Sequence, residues 1–149
     1  MAVCTFFGHR ECYDLDTDRL QSIIEELITK GVDTFYVGNQ GRFDTLALLC
    51  LEKLKVKYPH ISYSVVLAYL PTHRLEHDLY GDCSIYPEGL EEGSARFAIE
   101  RRNRWMISYA DYCICGIDHT WGGAYKFACL AKRKGLILFN IYNKFIEIS

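Results

Sequence analysis

Three short stretches of this 149-residue chain concentrate groups that can hold an anion: "GHRE" at 8–11, "GNQGRFDT" at 38–45 and "DHTWGGAY" at 118–125. Each follows an apolar run and precedes a helical pattern. Gly8, His9 and Arg10 open the first, placing two ring nitrogens and a cationic fork at a strand tip. In the second, Gly38 and Gly41 permit close backbone approach, Arg42 reaches a phosphate or carboxylate, and Asp44 and Thr45 cap the helix. Asn39 and Phe43 belong to the same turn and are assigned to binding with it. In the third, Gly122, Gly123 and Ala124 open a helix behind Trp121, a flat surface for a base, and Asp118 accepts a ribose hydroxyl or caps the helix. One glycine turn is usually only geometry. Three on one edge, two carrying arginine, point to a binding site.

The elements around these turns alternate. Residues 2–7, 34–38, 63–70, 112–117 and 136–142 read as strands. The runs from Asp16, Thr45, Ala95 and Ala124 read as helices, with Asp16 or Thr17 capping the first and Gly31 ending it. The strands are apolar on both faces, which implies a parallel sheet between two helix layers. Ligands of such sheets bind outside the carboxyl ends of the strands, where helix N-termini converge. Residues 71–93 are too long for an ordinary connection and are expected to form a loop or lid within a single domain spanning 1–149.

Half the residues are apolar and the net charge is −2, so no global field draws the chain to nucleic acid or anionic membranes. A nucleic-acid partner is not expected, because no basic stripe with interleaved aromatics is visible. The opening "MAVCTFF" lacks a signal-peptide pattern, and no apolar run is long enough to span a membrane. The seven cysteines are an odd number, and Cys4, Cys50, Cys113, Cys115 and Cys129 lie in apolar patterns, which suits reduced thiols and a cytoplasmic protein. Cys113 and Cys115 share a strand face and are explained by packing. His73 and His77 stand at i, i+4 near Asp78 and Cys83, yet a metal needs further partners in defined geometry, and none is expected. There is no G-x-S-x-G elbow, Walker loop or GxGxxG fingerprint.

"FFGHR", "GNQGRFDTLAL" and "RNRWMISYADYCICG…WGGAYKFACLAKRKG" together resemble the SLOG superfamily. Its Rossmann-like domains include the DNA-processing DprA proteins, the LOG nucleotide phosphoribohydrolases and small YpsA-like bacterial or phage proteins, the last branch being the most similar. The fold expected is an α/β three-layer domain with a five-strand parallel sheet in the order 3-2-1-4-5. The resemblance implies a nucleotide or nucleotide-derived ligand at the carboxyl edge, no resident cofactor, a sensor or sequestering role, and a homo-oligomer. It also selects Arg102, four residues before Met106, as a ligand contact among the arginines of "RRNR". Where LOG enzymes carry a catalytic glutamate, this chain has Ala128 and Cys129. Binding is therefore expected ahead of the two alternatives, a LOG-like nucleotide hydrolase and a DprA-like single-stranded DNA binder.

Overall fold

The computed structural model describes residues 1–69, 83–90, 93–142 and 146–149. Its strands are β1 (Ala2–Gly8), β2 (Val32–Val37), β3 (Ser62–Val66), β4 (Ser84–Ile85), β5 (Tyr112–Gly116) and β6 (Ile137–Asn140). All pairings are parallel, in the order β4-β3-β2-β1-β5-β6. The helices are α1 (Thr17–Thr29), α2 (Arg42–Lys57), α3 (Ala98–Tyr109), preceded by a 3-10 turn at Ala95–Phe97, and α4 (Gly123–Arg133). Among the described residues no helix is long and apolar enough to cross a membrane.

Successive side chains of a strand point to opposite faces, and β1 shows the consequence. Cys4 and Phe6 join the α1 and α2 side of the core with Leu20, Ile24, Phe43 and Leu51. Phe7 joins the other side, with Met106 of α3 and Phe127 and Ala131 of α4. The three layers follow from strands that are apolar on both faces. At the ends of α1, the Asp16 carboxylate accepts from the Arg19 amide at 3.0 Å, and Gly31 follows the helix with φ of +103°.

The sheet corrects the expected five strands and their order. Ser84 and Ile85, inside the segment read as a loop, pair with Val65 and Val66 and add a strand outside β3. Two residues carry no periodicity, so only a partner strand defines them. Residues 71–82 and 91–92 of that segment, with His73, His77 and Asp78, lie outside the described residues. Its described part is docked: Leu90 is buried, and Tyr86 packs against the core. β6 stops at Asn140, whose side-chain amide accepts from the Ile117 amide at 3.1 Å and donates to the Ile117 carbonyl at 2.9 Å. That pair clamps the chain where β5 ends and the third turn begins.

A glycine pair brings α2 to the end of the sheet. Gly8 and Gly116 are partners in the β1–β5 register, and the ring of the fully buried Phe43 lies across both. A Cβ on Gly8 would stand 2.0 Å from Phe43 Cγ, and one on Gly116 2.6 Å from Phe43 Cδ2. The first turn of α2 is thereby seated on the carboxyl edge, and the Arg42 amide donates to the Arg10 carbonyl at 2.9 Å.

Candidate functional site

A cavity of about 600 Å³ opens at the carboxyl ends of β1 and β5. The turn after β1 contributes Gly8 to Glu11 and Tyr13, the turn after β2 contributes Gln40 and Asp44, and the turn after β5 contributes Asp118, His119 and Trp121 to Ala124. Helix α3 supplies the far wall with Ile99, Arg102, Asn103 and Met106. A second cavity of about 400 Å³ adjoins it, lined by Arg10 to Asp14 and Arg42. Arg10, Glu11 and Tyr13 line both, so the two form one groove along the sheet edge.

Arg102 sits beneath this groove with only 2% of its surface exposed. Its Nε donates to Asn103 Oδ1 at 2.7 Å, and its Nη1 donates to the Val66 carbonyl at 3.0 Å and Asn39 Oδ1 at 3.3 Å. Buried guanidinium needs such a cage, because each unpaired N–H would cost a desolvation penalty. Asp44 accepts from the Gln40 amide at 3.0 Å. Burial pushes its carboxyl up to about 6, against the pull of Arg102 and Arg10. Gly38 explains how the two charges share the space: a Cβ there would lie 2.9 Å from both Arg102 Nη1 and Asp44 Oδ2.

The opposite wall carries a stack of rings. His9 and His119 lie face to face with centroids 3.5 Å apart and planes 10° apart, and Trp121 continues the stack at 4.1 Å from His119. Asp118 Oδ1 stands 2.6 Å from His119 Nδ1 and 3.5 Å from His9 Nε2. His9 is 7% exposed, and its Nε2 is buried without a hydrogen-bond partner. Burial, then the neighbouring His119, hold the His9 pKa below its ordinary value, against the pull of Asp118, favouring the neutral ring.

Of the residues expected from the sequence, the larger cavity brings together Gly8, His9, Arg10, Asp44, Arg102, Asp118, Trp121, Gly122, Gly123 and Ala124, while Arg42 lines the smaller one. The others stand one layer behind. Gly38 makes room for Arg102 and Asp44, and Asn39 holds Arg102. Gly41, with φ of +95°, lets the backbone of Arg10 approach, since a Cβ there would be 2.5 Å from Arg10 Cα. Phe43 packs on the glycine pair, and Thr45 Oγ1 donates to the Gly41 carbonyl at 3.1 Å. Neither α2 nor α4 has a side-chain N-cap, so Asp118 does not cap α4 and its carboxylate serves the histidines instead. His119, Tyr13, Gln40 and Asn103 were missed. His119 stands between Asp118 and Trp121 in the third turn, and that position was its available signal.

No family profile matches the sequence, and comparison with curated proteins finds no match. Solved structures do match. DNA processing protein A (DprA) from Streptococcus pneumoniae superposes with a TM-score of 0.69 at 17% identity, covering 99% of this chain and 52% of that one. DprA from Helicobacter pylori, described for its single-stranded DNA binding mode, superposes with a TM-score of 0.66 at 17% identity, covering 99% and 68%. The chain shares its fold with DprA. It spans about half the length of the S. pneumoniae protein. The fold expected from the SLOG resemblance is thus present, with six strands in place of five. The DprA neighbours also overturn the expectation that set nucleic acid aside. That expectation looked for a continuous basic and aromatic stripe, whereas the fold gathers arginines and aromatic rings from separate turns.

Proposed function

We propose that the groove at the carboxyl edge binds single-stranded nucleic acid. The observation that carries this reading is the company of Arg10 and Arg42, both exposed, with two exposed rings, Tyr13 (71%) and Trp121 (69%), along adjoining cavities. Exposed rings at a cavity mouth suit unstacked bases, and arginines between them suit the phosphates that join the bases. The open first turn of α4, with Gly122 at its N-cap and no side-chain cap, adds amide donors to the same wall. The likeness to DprA, one example of which is described for single-stranded DNA binding, supports the same reading. Membership of the SLOG superfamily, in its YpsA-like branch, belongs to the proposal. So does a cytoplasmic setting, which the seven free cysteines fit.

Fluorescence anisotropy with labelled oligo-dT tests it. Binding should favour the single strand over a duplex. With two arginines at phosphates, log K should fall with log salt at a slope of about −1.4. Absence of binding at low salt refutes the proposal. A second reading, a free nucleotide as ligand, is favoured by the size of the larger cavity, about 600 Å³, within the range of small-molecule sites. Calorimetry with AMP separates the two: a free-nucleotide site binds AMP with an affinity that oligo-dT does not exceed.

A further inference from the structure

The His9, Asp118 and His119 cluster has a property that a strand-binding groove does not require. One ligand atom from each lies within 4.8 Å of the others. Asp118 satisfies His119 through the 2.6 Å contact, which leaves His9 Nε2 buried and without a hydrogen-bond partner. A buried imidazole nitrogen in that position costs free energy unless it finds a partner. The geometry points to a zinc-class divalent metal site, with His9 Nε2, Asp118 Oδ1 and His119 Nδ1 as ligands and the fourth position open to the cavity.

The site requires His119 to move. Bonds of 2.0–2.2 Å around a tetrahedral ion set its donor atoms roughly 3.3–3.5 Å apart. His9 Nε2 and Asp118 Oδ1 already stand 3.5 Å apart. His119 Nδ1, at 2.6 Å from the carboxylate, must draw back from it by less than 1 Å. A metal lies in the plane of each imidazole that binds it, and two stacked parallel rings share no plane. His119 must therefore turn out of the stack with His9. It can, because it lies on a turn and is 27% exposed, whereas His9 is held by burial. Two imidazoles and one carboxylate suit zinc and its neighbours better than magnesium or calcium, which prefer all-oxygen sites. The fourth position faces the groove, where water or a phosphate oxygen would complete the coordination. The site stands whether or not the groove binds a strand.

The experiment is titration of chelator-treated full chain with Zn²⁺ by calorimetry, and with Co²⁺ by visible absorption. One Zn²⁺ per chain and the intense bands of tetrahedral Co²⁺ are expected. Asp118→Asn and His119→Ala should each weaken zinc binding by more than about 100-fold, beyond the 10–100-fold that loss of an outer hydrogen-bond partner costs. His9→Gln should do the same, and circular dichroism checks its folding; if it does not fold, the other two variants decide. His60→Ala and the double variant His73→Ala/His77→Ala should leave binding unchanged. In a Trp105→Phe background, zinc should alter the fluorescence of Trp121, because its neighbour His119 leaves the stack. Failure to take up Zn²⁺ overturns the inference. So does binding that survives Asp118→Asn and His119→Ala, or that vanishes with the His73/His77 pair.

Discussion

Replacing Gly8 by alanine tests the contact on which the site is built. The added methyl would meet Phe43 Cγ at 2.0 Å, Cδ1 at 2.3 Å and Cβ at 2.6 Å. Carbon atoms in ordinary contact stand about 3.5–4.0 Å apart, so the overlap exceeds 1 Å. Little room is left toward β5, because the ring already fills the space of a Gly116 side chain, a Cβ there lying 2.6 Å from its Cδ2. Relief therefore requires the first turn of α2 to leave the sheet, against the Arg42–Arg10 backbone bond. Overpacking typically costs 1–3 kcal/mol, and this site belongs at or above about 3 kcal/mol, a large part of a domain's roughly 5–15 kcal/mol. Without the clash, glycine to alanine at this position, where φ is not positive, would stabilise by about 0.4–1 kcal/mol through the unfolded chain. The sign is thus decisive. Urea denaturation at constant m measures it. Gly116→Ala should cost less than Gly8→Ala. In a Phe43→Ala background, itself about 3–5 kcal/mol less stable, the Gly8→Ala cost should shrink by at least about 1 kcal/mol. The relief is incomplete because Phe43 Cβ is part of the clash. A Gly8→Ala protein as stable as wild type, or an equal cost in both backgrounds, refutes the packing argument.

Asp44 gives a pH signature. Its folded pKa, about 6, lies above its ordinary 3.8, so the protonated form favours folding. Its stabilising contribution is full below about pH 4 and is lost as pH rises through 6; relative to Asp44→Asn, the wild type should lose up to about 3 kcal/mol across that window in urea titrations, and parallel profiles would contradict the assignment. Trp121→Ala should weaken oligo-dT binding by about 1–3 kcal/mol with little change in thermal stability, and Arg10→Ala by about 1.5–3 kcal/mol, both read by anisotropy. Unchanged affinity in both variants would remove the groove from the binding reading. Long incubation with AMP should release no free base by chromatography, because buried Ala128 and Cys129 occupy the positions where the LOG resemblance calls for a carboxylate.

The alternation of apolar strands and amphipathic helices was legible in the chain, since burial on both faces demands unbroken apolar runs and a helix demands its stripe. So was the edge on which the three glycine-bearing turns gather, because a parallel sheet exposes its strand-to-helix turns on one edge whatever its details. The two-residue β4 was not legible, since a strand that short exists only through its pairing with Val65 and Val66. Nor were the separate duties of the glycines. Gly8, Gly38 and Gly41 look alike in sequence, yet one bears the Phe43 ring, one leaves space between Arg102 and Asp44, and one lets the Arg10 backbone approach. Each of those duties depends on a residue 30 or more positions away in the chain: Phe43 for Gly8, Arg102 for Gly38 and Arg10 for Gly41. Arg102 shows the same division: within "RRNR" only the family resemblance singles it out, and its burial against Val66, Asn39 and Asn103 shows how it is held. The sequence by itself determined which chemistry reaches the carboxyl edge, through residue types placed after each strand. Only the tertiary structure decided which groups face the groove, which stand behind it, and that His9 is left with a buried nitrogen and no partner, because close packing between distant turns is set by three-dimensional contact and not by local pattern.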